Sequence, residues 1–242
     1  MEYGWIVSLD GEIEAVLSNS ALEVRPRAQR VPESMHGTLL GEIYGRMARW
    51  NDGGRHAELR RVVEGILTRW NDKDVERIAR DAAARGEANE IAAYTVATLV
   101  GIREPEAALE WIRDFAAAVA AGANDAAIAR GAAAAQSLAG ALPPRGDADE
   151  RANLLGFLFQ SYAATARLIE IRLAGRTDAP VLLTRRYASE DVDICGTSIR
   201  KNDLVVVLLA SQRFNFGAGP HACPGRDIAE TIARVAVEAL AQ

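Results

Sequence analysis

Between residues 38 and 142 apolar positions recur three and four apart, the spacing of helices that bury one face. The segments EIYGRMARW, HAELRRVVEGILTRW, DKDVERIARDAAAR, EIAAYTVATLVGI, PEAALEWIRDFAAAVAAG and AAIARGAAAAQSLAGAL all follow it. Alanine is the best intrinsic helix former, so the Ala-rich stretch at 116–142 reads as closely packed helix. Ahead of this region, WIVSLDGEIEAVLSN reads as a short strand, a turn and an amphipathic helix, and VRPRAQRVPES as a loop. PPRGDADE at 143–150 predicts another loop, because two prolines stop a helix and the acidic cluster suits the start of the next one. RANLLGFLFQSYAATARLIEIRL is apolar on nearly all sides, as a helix through the middle of a core should be. The pattern then shortens: VLLTRRYA, VDICG and LVVVLLA are strand-like, with turns at Gly196 and at Asn202–Asp203. RDIAETIARVAVEALAQ returns to helix. The expected fold class is mainly α with a minor β-sheet.

Composition narrows the function. A chain of 242 residues, 49% of them hydrophobic, can bury a sizeable core as one large or two modest domains. Its net charge of -5 argues against nucleic acid as the main partner, since phosphate binding is built on surplus Lys and Arg. MEYGWIVSLDGEIEAV has no positive region followed by an apolar run, and nowhere are there about 18 consecutive apolar residues. The expectation is a cytoplasmic protein without a membrane anchor. Arg supplies 26 of the 28 basic residues; with the abundant Ala, this composition is associated with GC-rich bacterial genomes.

Cys195 and Cys223 are too few for a disulfide framework. Cys195, in VDICG, reads as a small buried hydrophobe. Cys223 lies in FNFGAGPHACPG, where Gly217 and Gly219 permit positive φ and close backbone approach and Pro220 stiffens the turn. It also stands at the mouth of the final helix, where free N–H groups favour a thiolate. A thiolate in a rigid loop is a metal ligand or a nucleophile. No second Cys or His stands at zinc spacing, and His36 and His56 are far away in sequence. A lone thiolate suits a metal cofactor that brings its other ligands, as a haem does.

The pattern Phe216-x-x-Gly219-x-His221-x-Cys223-x-Gly225 resembles the haem-binding loop of the cytochrome P-450 superfamily, bacterial soluble type. The resemblance implies haem b with iron ligated by Cys223, the aromatic Phe216 beside it, Gly217 in the same turn, and His221 paired with a haem propionate. RWNDGGRHAELRRVV is similar to the family's C helix, which puts His56 and Arg60 four apart on one helical face, suited to two propionates. In the strand region, Arg186 matches a third propionate partner. The whole chain, 1–242, is then a single haem-binding domain.

Several family features are missing. In the long helix ATARLI puts Ala163 and Ala164 where the family has an acid and a threonine that deliver protons to dioxygen. Gln160 and Thr165 are the remaining distal candidates beside Ala164, with Tyr162 nearby; a shift of one residue would exchange Gln160 for Ser161. The expected fold is a shortened cytochrome P-450-like one that lacks the first helix, most of the K helix, the meander and the C-terminal hairpin. Leu173 replaces the Glu that would pair with Arg176, which should therefore be exposed or paired afresh. Missing walls favour a homodimer or a partner enzyme.

The resemblance implies a haem-thiolate oxidoreductase, monooxygenase- or peroxygenase-like, acting on a small-molecule substrate in secondary metabolite biosynthesis, with a ferredoxin or reductase as electron source. Two alternatives stand beside it. One is a redox-neutral haem enzyme that catalyses rearrangement, dehydration or cyclisation. The other is a non-catalytic activator of a partner biosynthetic enzyme.

Overall fold

The structure is a computed structural model that describes residues 4–209 and 211–241. Its strands are β1 (Trp5–Val7), β2 (Leu22–Glu23), β3 (Leu183–Ala188), β4 (Val192–Ile194), β5 (Thr197–Ile199) and β6 (Leu204–Leu208). Its helices are α1 (Asp10–Ser18), α2 (Leu39–Arg46), α3 (Gly53–Leu67), α4 (Asp72–Ala83), α5 (Ala88–Val100), α6 (Pro105–Val119), α7 (Asp125–Ala141), α8 (Ala148–Leu173) and α9 (Arg226–Leu240). The fold is mainly helical with small sheets, as expected.

The helices pack around α8, which touches α2, α3, α5, α6 and α9. Leu154, Leu155, Gly156, Leu168 and Ile171 are buried on different sides of it, which is why its sequence shows no polar stripe. It begins earlier than the Pro-rich stretch suggests: Asp147 caps it by accepting from the Glu150 N–H at 2.9 Å, so the acidic cluster forms its first turn. The Ala-rich helices α6 and α7 cross closely, and a Cβ placed on Gly131 would come within 2.1 Å of the Ala118 Cβ. Small side chains are needed there for close approach.

The four-stranded sheet runs β1-β6-β3-β2, with β1 parallel to β6 and the other pairs antiparallel. Val7, Val205, Val207 and Ala188 bury one of its faces against Ile13, Val16 and Leu17 of α1. Alternation puts Arg186, opposite Val205, among these inward positions.

Strands β4 and β5 form a hairpin whose turn is Cys195 and Gly196, at φ 52° and 84°. Two successive positive φ angles are what a two-residue hairpin turn with the sheet's twist requires. The reading of Cys195 as a buried hydrophobe is corrected accordingly: it is exposed at a turn tip.

Among the described residues no helix lies between α8 and β3, where the family's K helix would stand. Arg176 is exposed and paired with Asp178. Ile6, Leu9 and Leu182 are large apolar side chains that stay exposed. No helix of the described residues is long and apolar enough to cross a membrane.

Candidate functional site

A cavity of about 850 Å³ lies between the helical body and the sheet, bounded by parts of α3, α8, β3, α9 and the Cys223 loop. Cys223 is held there by backbone geometry. Gly217 and Gly219 take φ 71° and 65°, and the Cys223 N–H donates to the Phe216 carbonyl at 2.8 Å. At Gly219 a Cβ would come within 2.4 Å of the Leu17 carbonyl oxygen, so the loop lies directly on the end of α1. Phe216 is partly buried against the helical core, with the Arg226 guanidinium 5.2 Å from its ring centroid.

Gly225 begins α9, and its N–H is directed to the Cys223 sulfur. Cys223 is exposed, but what it exposes faces the cavity that it lines. Burial in the surrounding protein pushes its thiol pKa up; the Gly225 N–H, Arg60 and Arg49 pull the other way without reversing the shift. The expectation that the helix end alone favours the thiolate is thus corrected: desolvation of the anion outweighs the helix terminus. A cation bound at the sulfur would supply the missing stabilisation.

Arg60 ties α3 to the same loop. Its Nη1 donates to the Ala222 carbonyl at 2.6 Å and to the Pro220 carbonyl at 3.5 Å, and its Nε donates to Glu64 at 2.8 Å. His56, one turn earlier, is buried with its ring centroid 4.0 Å from that of His221. Burial, then His221 and Arg60, hold the His56 pKa at about 4. His221 Nε2 lies 3.2 Å from Asp52, whose carboxylate also accepts the Val24 N–H at 3.2 and 3.3 Å. Arg186 is buried, and its Nη1 donates to the Arg185 carbonyl at 2.9 Å and to Thr184 at 3.2 Å. Burial lowers its pKa to about 10; nearby Asp52 opposes the shift and Arg49 adds to it.

On α8, Gln160, Ala163, Ala164 and Thr165 all line the cavity. The Gln160 amide nitrogen donates to the Gly156 carbonyl at 2.9 Å. Ser161, which also lines the cavity, donates to the Leu158 carbonyl at 3.1 Å. Tyr162 is not part of the wall; its hydroxyl is 3.5 Å from Asn89 of α5. Of the residues read from the sequence, His56, Arg60, Arg186, Phe216, Gly217, His221, Cys223 and Gly225 line one cavity, whereas Gly219 supports the loop from behind.

Sequence reasoning missed Asp52, Arg25 and Arg49. Asp52 orients His221. Arg25 and Arg49 extend the cationic wall, which among the described residues holds five arginines (with Arg60, Arg185 and Arg186) and no Asp or Glu. Arg25 fell in VRPR, read as a loop, while Arg49 fell at the end of a predicted helix and Asp52 in the stretch similar to the C helix, neither with a site role.

This wall fits a haem. On the cavity wall Arg25 Nε is buried without an acceptor, and Arg186 has no carboxylate partner among the described residues. A group with two carboxylates and a coordinating cation matches both these arginines and the lone thiol. Among the described residues no cluster of three His, Cys, Asp or Glu side chains could hold a bare metal ion.

No family model matches the sequence. The chain is similar to the "Biotin biosynthesis cytochrome P450" of Bacillus subtilis (strain 168), at 32% identity over an 88-residue alignment that takes in 28% of this chain. That match spans only 22% of the length of the curated relative. Among solved structures, P450BioI in complex with an acyl carrier protein ligated to hexadec-9Z-enoic acid superposes with a TM-score of 0.79 at 21% identity, covering 99% of this chain and 85% of that one. CalO2 superposes with a TM-score of 0.77 at 24% identity, covering 98% and 82%. The chain has the cytochrome P450 fold, in a shortened form.

Proposed function

We propose that the chain binds haem b through Cys223 and acts as an oxidoreductase, monooxygenase- or peroxygenase-like, on a small organic molecule in bacterial secondary metabolism. The observation that carries this reading is a lone thiol facing a cavity walled, among the described residues, by five arginines and no carboxylate. Cys223 would hold the iron, and His56, Arg186 and His221 would lie against the propionates. Arg60 would act there mainly by fixing the carbonyls of Pro220 and Ala222. When bound, the haem supplies oxidising chemistry with electron donation from the thiolate.

The residues of α8 set the proton supply. Ala163 and Ala164 can neither hold nor move a proton, and Gln160 spends an amide N–H on its own helix. The Thr165 hydroxyl, the Ser161 oxygen, and the carbonyl oxygen and second amide N–H of Gln160 are the polar groups left on α8. This favours either peroxide as oxidant or, as a second reading, redox-neutral rearrangement, dehydration or cyclisation. A ferredoxin or reductase is the electron source in the monooxygenase version. The acyl carrier protein bound by P450BioI supports a protein partner that presents the substrate, and exposed Ile6, Leu9 and Leu182 support a homodimer or partner enzyme. The non-catalytic activator would need no iron ligand, which Cys223 and its loop argue against. The same reading places the protein in the cytoplasm.

Turnover in isotopically labelled dioxygen or peroxide separates the versions. Label in the product supports oxygen insertion; product without label, from a haem-loaded protein, supports the redox-neutral reading.

A further inference from the structure

The cavity wall has more positive charge than a haem accounts for. Of its five arginines, Arg60 is neutralised by Glu64, and two propionates would match two more. Two remain. Arg49, which also faces Cys223 and Arg186, differs from the rest in the rings it contacts. Its guanidinium carbon is 5.0 Å from the Trp50 ring centroid and 6.0 Å from that of Phe159. Phe159 belongs to α8 and directly precedes Gln160, so Arg49 is tied to the helix that carries the distal candidates.

The platform beneath it is rigid. Tyr44 stacks on Trp50 at 4.8 Å and 6°, and Trp50 lies parallel to Phe159 at 6.5 Å and 8°. Tyr44 and Trp50 come from α2 and the turn after it, so three chain segments fix the stack. Arg49 lines the cavity with part of its surface exposed to it and has no carboxylate partner among the described residues; burial lowers its pKa, and Tyr44 and Cys223 oppose that shift without reversing it. Beside it, the buried indole N–H of Trp50 has no acceptor. A cation and an unused N–H on adjacent residues match the two oxygens of one carboxylate. Val63, Leu67, Trp70, Phe157 and Leu168 give the same wall an apolar stretch.

We infer that Arg49 and Trp50 form a carboxylate subsite, and that the substrate is an apolar molecule bearing one carboxylate, anchored there with its body along the apolar wall. The inference rests on the haem-pocket reading above and names the substrate class for it.

The test uses haem-loaded protein and three acids, benzoate, 4-phenylbutyrate and dodecanoate, each against its methyl ester, with binding followed by calorimetry and by perturbation of the Soret band. At least one acid should bind tenfold or more tightly than its ester. Arg49→Gln should reduce that preference at least fivefold while haem content and the spectrum of the reduced carbon monoxide form stay unchanged, and Arg49→Lys should restore part of it. Esters that bind as well as acids throughout, no binding by any acid, or an undiminished preference in Arg49→Gln would overturn the subsite. So would loss of haem from Arg49→Gln, which would make Arg49 a propionate anchor. Failure of the wild type to take up haem is a separate result that removes the haem reading; calorimetry on the same acid and ester pairs still decides the carboxylate preference.

Discussion

The imidazoles of His56 and His221 lie with ring centroids 4.0 Å apart and tilted by 33°, joining α3 to the cysteine loop across 165 residues of chain. Only His221 has an acid beside it, Asp52 at 3.2 Å. His56 is buried without one and titrates at about 4, against an unperturbed value of about 6.5. Between those two pH values the unfolded chain binds more protons at this position than the folded one. Stability therefore falls as pH drops from about 6.5 to about 4, by roughly 3 kcal/mol over the window. Denaturant titrations of haem-free protein should show this acid limb, and His56→Gln should flatten it. An unchanged limb in the variant would place the sensitivity elsewhere.

Arg60 should behave as a tether for the loop. Its 2.6 Å bond to the Ala222 carbonyl is charge-assisted and sits next to the iron ligand proposed here. Losing it should cost about 1.5–3 kcal/mol in loop positioning. In Arg60→Gln the haem should dissociate tenfold or more faster, measured by transfer to an apo-globin acceptor. Equal dissociation rates would show that the loop holds its shape without α3.

The two glycines at either end of the motif should differ. Gly219 combines φ 65° with a Cβ position only 2.4 Å from the Leu17 carbonyl oxygen, and both the backbone and α1 would have to yield. Gly219→Ala should destabilise by at least about 2 kcal/mol, which lowers the melting temperature by several degrees. Gly225 has φ −94° and nothing within 4 Å of a Cβ, so Gly225→Ala should change stability by less than about 0.5 kcal/mol. Similar melting temperatures for the two variants would contradict this account of the loop.

Arg176 has lost the buried role that its family position implies. With its side chain 58% exposed and paired only with Asp178, it is a surface ion pair. Arg176→Ala should shift stability by less than about 0.5 kcal/mol, and a loss above 2 kcal/mol in chemical denaturation would argue for a hidden partner.

The helices were legible because their apolar spacing is strong, and the cysteine loop because its glycines, histidine and cysteine are each chemically demanding. Asp52 and Arg49 were not, since both belong to a short turn that periodicity cannot describe. Their roles depend on His221 and Phe159, which are 169 and 110 positions further along. Cys195 was misread because VDICG has strand-like neighbours, whereas the two-residue hairpin needs positive φ at the cysteine as well as at Gly196. The net effect of the α9 terminus on Cys223 was equally hidden, because burial, which wins, is a property of the folded cavity.

The central claim is that Cys223 ligates a haem iron. The most direct measurement is the absorption spectrum of the protein expressed with a haem precursor, reduced, and exposed to carbon monoxide. The wild type should show a strongly red-shifted Soret band, and Cys223→Ala should lose it. A wild type that binds no haem, or a Cys223→Ala variant with the same spectrum, would contradict the claim.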